Sequence, residues 1–336
     1  MSAEQKSRWQ ILAKFVPGRR PPLDKSAAER RRWWRIPRRR IVFWACAMLT
    51  TIGIGVYLRA EIHRRVARFD HYSSANIAHS GGTLLIAGGG QLSEMIRQRF
   101  VELAGGNHAR IVVIPAEIID DNLLAQYREA WLHYDVQTVD VLHAESRTEA
   151  DDPEFSRVLE TATGVWLGGG QQTWLAAWYG RTLVEARLKE LLARNGVIGG
   201  TSAGAAVMSS VMIAGGREKP TMGHGFDLIP GAVIDQHFVK RNRIRRLQSV
   251  LERHPELVGF GIDEGTALQF GVQSGRFQVL GQSCVVACVS RVEKDDRPNF
   301  HLQFLNPGDE FDIERLRRGD VVPPGYIDLD AALMGE

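Results

Sequence analysis

Cysteine is scarce. Cys46, Cys284 and Cys288 are the only three in 336 residues, which excludes the disulfide framework that staples small secreted domains. Cys284 and Cys288 stand four apart in CVVACV, a run that reads as a buried strand. Along a strand that spacing separates them by about 13 Å, too far to bridge. Metal motifs are absent too: no H-E-x-x-H, EF-hand or clustered Cys/His spacing occurs, so no metal is implied. The Gly-rich segments 88–90 and 168–170 fail both the G-x-G-x-x-G and the Walker patterns, which argues against a nucleotide cofactor. What such loops offer instead is backbone amides, which suit an oxyanion hole. Acidic residues are short in one place only. Residues 1–68 hold 4 Asp/Glu against 17 Lys/Arg, whereas 69–336 hold 35 against 25. An acidic part therefore follows a basic leader, and nucleic acid is a poor partner for it. With 44% hydrophobic and 24% charged residues, neither a disordered chain nor a polytopic membrane protein fits.

The leader contains one long uncharged run, IVFWACAMLTTIGIGVYL at 41–58. At 1.5 Å per residue its span is about 27 Å, close to one hydrocarbon core, and it reads as a transmembrane helix. Arginines flank it on both sides, with the excess before it: Arg30, Arg31, Arg32, Arg35, Arg38, Arg39 and Arg40 against Arg59, Arg64, Arg65 and Arg68. The positive-inside rule then keeps the leader in the cytoplasm and puts 69–336 on the periplasmic or extracellular side. A cleaved signal peptide fits less well, because the basic region is long and no A-x-A site follows. The expected organisation is a basic leader (1–40), a transmembrane helix (41–58), a linker (59–80) and a folded domain (81–336).

From residue 81 short apolar runs ending in Gly or Pro alternate with longer helical patterns, the βαβ signature of an α/β fold with a mostly parallel sheet. Strands are predicted at 83–87, 110–114, 136–142, 165–167 and 197–200. Helices are predicted where Leu92, Met95, Ile96, Phe100 and Leu103, and later Val184, Leu188, Leu191 and Leu192, recur at helical spacing. Closely spaced runs at 276–280, 284–289 and 299–305 suggest an antiparallel edge near the C-terminus.

The segment with most chemical content is GTSAG at 200–204, a G-x-S-x-G between an apolar strand and an Ala-rich helix. Small residues let the chain turn sharply and lift the Ser202 hydroxyl out of the sheet, beside amides able to stabilise an oxyanion. An ordinary strand-to-helix turn uses the same residues; position between strand and helix is what favours chemistry. A serine needs a base. His237, in DQHF, follows the apolar run 232–234 and should project from a strand end, with His224 and His301 as competitors. For an orienting acid, Asp263 and Glu264 close another apolar run. Lys240, Arg241, Arg243, Arg245 and Arg246 follow His237 closely, on a helix expected from about residue 239 with Ile244, Leu247 and Leu251 facing the core. Such a run is usually a solvated face, yet beside a catalytic base it suits a substrate rich in carboxylates.

Taken together, GGTSAGA around Ser202, DQHFVKRNRIRRL from 235 to 247 and GIDEGTAL from 261 to 268 resemble cyanophycinase, a relative of dipeptidase E among the serine peptidases. The resemblance spans roughly 80–330. It implies a glutamine-amidotransferase-like αβα sandwich and no cofactor. It also implies a serine exopeptidase that cleaves the aspartate backbone of multi-arginyl-polyaspartate and releases β-aspartyl-arginine. Carried over by position, Ser202 is the nucleophile, His237 the base and Glu264 the orienting acid. Gly169 and Ala203 amides supply the oxyanion hole. Gln171, Asp235, Gln236, Arg241, Arg243 and Arg246 fall on substrate-binding positions. A homodimer is a further expectation of the resemblance, as is an acidic peptide or cyanophycin-like polymer as partner. The chain departs from the pattern at Gly170, where an acidic residue is usual, and in its membrane leader.

Three other readings stand beside it. An α/β-hydrolase esterase shares G-x-S-x-G but orders its triad Ser, Asp, His, and here only His301 would serve as the late histidine. A dipeptidase E-like aspartyl peptidase would keep the triad on a different substrate. A membrane-tethered binding protein would keep the pocket without turnover.

Overall fold

The computed structural model describes residues 81–118, 120–292, 298–319 and 326–328. The expected leader, transmembrane helix and linker lie outside the described residues. Among those described, no helix is long and apolar enough to cross a membrane.

The central sheet has eight strands. Five run parallel: β1 (Thr83–Ala87), β2 (Arg110–Ala116), β3 (Thr138–Val141), β4 (Gly164–Gly170) and β5 (Val197–Thr201), in spatial order β1-β5-β4-β2-β3. Their near-continuous apolar runs, such as TLLIA in β1, are what a sheet covered on both faces requires. Alternation then sorts them. Leu85, Ala87, Ile111 and Val113 point to one face, where Ile96 and Phe100 of α1 (Glu94–Leu103) and Trp131 of α2 (Asp121–Leu132) pack. Leu84, Ile86, Val112 and Ile114 point to the other, against Leu175 of α3 (Gln172–Tyr179) and Val184, Leu188 and Leu191 of α4 (Leu183–Ala193). Helix starts follow local capping chemistry. Ser93 and Asp120 accept from the backbone N–H groups of Ile96 and Leu123 respectively.

The strand expected to stop before Pro115 continues to Ala116, with a break in register between Ile114 and Ala116. A proline is tolerated at such a break because no ladder hydrogen bond is asked of it.

The antiparallel part is divided differently from expectation. Beyond β1 the central sheet continues antiparallel through β10 (Thr266–Gly271), β11 (Arg276–Gly281) and β14 (Glu310–Asp312). The two later runs, β12 (Val285–Val292) and β13 (Pro298–Leu305), leave this edge. With β8 (Ala232–Gln236), β9 (Val258–Ile262) and β15 (Tyr326–Asp328) they form a second five-stranded sheet. That sheet packs on the face that carries α3 and α4, through contacts such as Phe260 against Phe277 at 5.2 Å. One layer of the sandwich is thus partly strand where helix alone was expected. Helix α6 (Ile244–Leu251) covers the outer side of the second sheet with Leu247, Val250 and Leu251. It starts later than the sequence predicts, because residues 238–242 form a turn in which Asn242 takes φ 48°. A short hairpin, β6 (Val211–Gly215) with β7 (Thr221–His224), completes the described strands.

Candidate active site

Strand β5 lies between β1 and β4, and its C-terminal end delivers Ser202 into the crevice where parallel strands end. Ser202 takes φ 51° and ψ −104°, a backbone state that L-residues rarely adopt, and its N–H donates to the Ala87 carbonyl at 3.1 Å. Both flanking glycines are sterically required. A Cβ on Gly200 would lie 2.6 Å from the Gly204 carbonyl oxygen, and one on Gly204 would lie 2.2 Å from that of Leu167. The turn into α5 (Ala203–Ala206) therefore exists only because positions 200 and 204 carry no side chain.

The second sheet supplies the partners. β8 ends at Gln236 and the chain turns at His237, itself at φ 50°, with its N–H donating to the Gly88 carbonyl at 2.7 Å. β9 runs parallel to β8 and ends two residues before Glu264. The result is a relay. His237 Nε2 lies 2.9 Å from Ser202 Oγ, and His237 Nδ1 lies 2.7 Å from Glu264 Oε1. The carboxylate assigns the tautomer: Nδ1–H donates to Glu264, which leaves Nε2 to accept the serine proton. His237 is 7% exposed. Burial is the main cause holding its pKa below the usual histidine value; the Glu264 hydrogen bond opposes it and the Arg241 charge adds to it. A neutral imidazole aimed at a serine hydroxyl is a general base in its working state.

Segment 88–90, which the sequence offered only as spare amides, has a different place. A Cβ on Gly89 would stand 2.5 Å from both Cε1 and Nε2 of His237, and one on Gly90 would stand 2.9 Å from Glu264 Cβ. The loop is the bed on which the base and its acid lie. No local signal in the sequence could reveal it, because the contact joins residues about 150 positions apart. The other loop, 168–170, ends β4 next to β5. The paired register ends at Leu167 with Gly200, and a Cβ on Gly169 would lie 3.9 Å from Cγ2 of Thr201, the residue before Ser202. The Ala203 N–H opens a helix and so has no intrahelical acceptor.

The proposed substrate contacts fall into two groups. Arg241 is exposed in the turn after His237 and forms no ion pair among the described residues, and Gln171 is exposed where α3 begins. Arg243 is half-buried; its Nη1 donates to Asp235 Oδ1 at 3.3 Å and to the side-chain oxygen of Gln236. Burial lowers the Arg243 guanidinium to about 10, so it stays a cation at neutral pH. Asp235 and Arg246 form the deeper group. They are 0% and 3% exposed, and Arg246 grips both carboxylate oxygens of Asp235 while its Nη1 donates to the Gly216 carbonyl at 2.7 Å. Three of the five Arg246 N–H donors are taken inside the protein, and the pair braces strand β8, which ends beside His237.

Of the competing histidines, His224 is exposed at the end of β7, and His301 lies within β13 opposite Val289. The histidine on Ser202 is His237. Cys284 and Cys288 are free thiols, both held protonated by burial. No cluster of His, Cys, Asp or Glu able to hold a metal occurs among the described residues.

Against known proteins, the model of Peptidase family S51 matches residues 83–278. A cyanophycinase from Synechococcus elongatus is 31% identical over 292 residues, covering 78% of this chain and 90% of its own length. A cyanophycinase from Geminocystis herdmanii is 34% identical over 215 residues, covering 60% of this chain and 79% of its own. Among solved structures, a peptidase from an acI-B1 Actinobacterium superposes with a TM-score of 0.54 at 23% identity, over 70% of this chain and 98% of that one, a likeness of fold. The chain belongs to peptidase family S51 and is a serine-type peptidase.

Proposed function

We propose that the protein is an exopeptidase of the cyanophycinase type, which hydrolyses the aspartate backbone of a multi-arginyl-polyaspartate and releases β-aspartyl-arginine. The observation that carries this reading is the Ser202–His237–Glu264 relay, with its 2.9 and 2.7 Å contacts, in a chain 31% identical to a cyanophycinase. His237 Nε2 takes the Ser202 proton as Oγ attacks the scissile carbonyl, and the Glu264 carboxylate stabilises the imidazolium that forms. The Ala203 and Gly169 amides receive the oxyanion. His237 then gives its proton to the leaving amine, and an acyl-enzyme on Ser202 remains. Water, deprotonated by the same nitrogen, attacks the ester and frees both product and serine.

Arg241 and the remaining donors of Arg243, with Gln171, bind aspartyl carboxylates in this reading, and Gln236, 6% exposed with its side-chain oxygen on Arg243, has only its amide nitrogen to add. Two exposed or half-buried cations beside the base suit such a substrate. For the chain as a whole we propose a single-pass anchor at 41–58, with the peptidase domain on the periplasmic or extracellular side, on the strength of the apolar run and its arginine flanks.

The test is to incubate the purified protein and its Ser202→Ala variant with cyanophycin and with α-aspartyl dipeptides, and to identify the products by mass. β-Aspartyl-arginine from the parent and nothing from the variant is expected. Cleavage confined to the dipeptides would move the protein to a dipeptidase E-like specificity.

A further inference from the structure

The crevice around Ser202 carries charge of opposite sign on its two sides. Toward the second sheet stands Arg241, close enough to bias His237 and without an ion pair among the described residues. Toward the other side, β4 separates β5 from β2, and two inter-strand spacings put the end of β2 about 10 Å from the end of β5. β2 ends at Ala116, and the next residue is Glu117.

Glu117 is held in one orientation. The Tyr127 hydroxyl of α2 donates to its Oε1 at 2.5 Å. Burial first, and then the carboxylate itself, push the Tyr127 phenol well above its ordinary pKa, so the donor keeps its proton. One hydrogen bond occupies one of about four lone-pair sites on a carboxylate. Among the described residues no Lys or Arg lies within ion-pairing distance of Glu117. A half-buried carboxylate fixed by a neutral donor, with no cation beside it among the described residues, can accept from a ligand cation.

The Tyr127 hydroxyl that holds this carboxylate stands against the loop that ends β4. A Cβ on Gly168 would lie 3.4 Å from the Tyr127 hydroxyl, and the Gln171 N–H donates to the Ala116 carbonyl at 2.8 Å. The loop itself cannot present an acid at position 170: Gly170 has φ 132°, and a Cβ there would lie 2.3 Å from the Ala116 oxygen. Position 170 thus holds no acidic group, whereas the neighbouring strand end is followed by one, Glu117.

We propose that Glu117, oriented by Tyr127, is the subsite for the cationic side chain of the substrate and receives a guanidinium through its free oxygen. This rests on the aspartyl-arginine reading above and adds the residue that selects arginine. The crevice then matches a zwitterionic unit, with a carboxylate toward Arg241, a guanidinium toward Glu117 and the scissile carbonyl at Ser202 between them.

The test compares β-aspartyl-arginine peptides with the same peptides carrying citrulline, which keeps the shape and lacks the charge. The parent should prefer arginine by roughly tenfold or more in kcat/KM, mostly through KM, as a charge-assisted pair allows. Glu117→Gln should lose that preference on arginine and change less than about twofold on citrulline. Tyr127→Phe should lie between the two. Equal losses on both peptides would overturn the subsite, since a positional or folding defect does not discriminate by charge. So would a Glu117→Gln variant that keeps the arginine preference. A parent that cleaves neither peptide would overturn the aspartyl-arginine reading and the subsite with it, whereas cleavage of both at equal efficiency would overturn the subsite alone.

Discussion

Gly89 and His237 share the space of one methyl group: a Cβ on Gly89 would fall 2.5 Å from the Nε2 that faces Ser202. The backbone of Gly89 also sits at φ 101°, so alanine there is opposed by conformation as well as by contact. The imidazole is fixed from behind by Glu264 and from above by the serine, and it can yield only by leaving the relay.

Gly89→Ala should therefore cost about two to three orders of magnitude in kcat with a modest loss of stability, as expected when a base is displaced and the core is untouched. Steady-state kinetics beside a thermal melt would check it. Activity within a few-fold of the parent would mean that the loop gives way and the base does not depend on it.

The pH profile follows from the burial of His237. Desolvation, the largest effect, lowers its pKa below 6.5, and the base must be neutral to accept the Ser202 proton. kcat/KM should rise with pH along a limb whose apparent pKa lies below 6.5 and be level above it. Arg241→Ala removes a charge that lowers the histidine, so the limb should move up. Glu264→Gln removes one that raises it, so the limb should move down while kcat falls. Movement in the opposite directions would detach the limb from His237.

How much of this was legible in the sequence depends on the distance over which each feature is encoded. Ser202 and the two glycines around it announce a turn within five residues, because each steric demand is met by a near neighbour; the Gly204 contact with Leu167 is the one that reaches across the sheet. His237 and Glu264 were readable as strand ends, since apolar runs precede both. The bed at 88–90 and the Asp235–Arg246 pair were not. Glycine repeats look alike whether they hold an anion or an imidazole, and a charge run on paper does not reveal which member α6 turns inward. Arg246 is three residues after Arg243 and one before Leu247, and it is the packing of Leu247 and Val250 on the second sheet that carries it inside. The second sheet was missed for a related reason. β12 pairs with β9 and β13, and antiparallel partners are chosen by facing side chains that no local pattern names.

The two rival histidines give a sharp contrast. His237→Ala should lower kcat by several orders of magnitude, and labelling of Ser202 by a fluorophosphonate should fail with it. His301→Ala, at a position on β13 opposite Val289, should leave labelling intact. The reverse outcome would restore the late-histidine order of an α/β-hydrolase.

The basic run separates into three behaviours that one series of alanine variants can resolve. Arg246 is 3% exposed and bidentate on an Asp235 that is fully buried, so Arg246→Ala strands a carboxylate in the interior. Breaking a buried pair from one side costs about 3–5 kcal/mol, and the variant should melt far below the parent and lose activity on every substrate alike. Arg245 is exposed on α6 and should be nearly silent in both respects. Arg241 is exposed as well, yet it stands beside His237 without an acidic partner among the described residues. Its removal should leave the melt unchanged and raise KM on aspartyl peptides by roughly fivefold, with little effect on a neutral ester, because only a substrate carboxylate would feel the loss. If Arg241→Ala and Arg245→Ala behaved alike on acidic and neutral substrates, carboxylate recognition would have to be sought in Arg243, whose remaining donors are the other cationic group at the crevice edge.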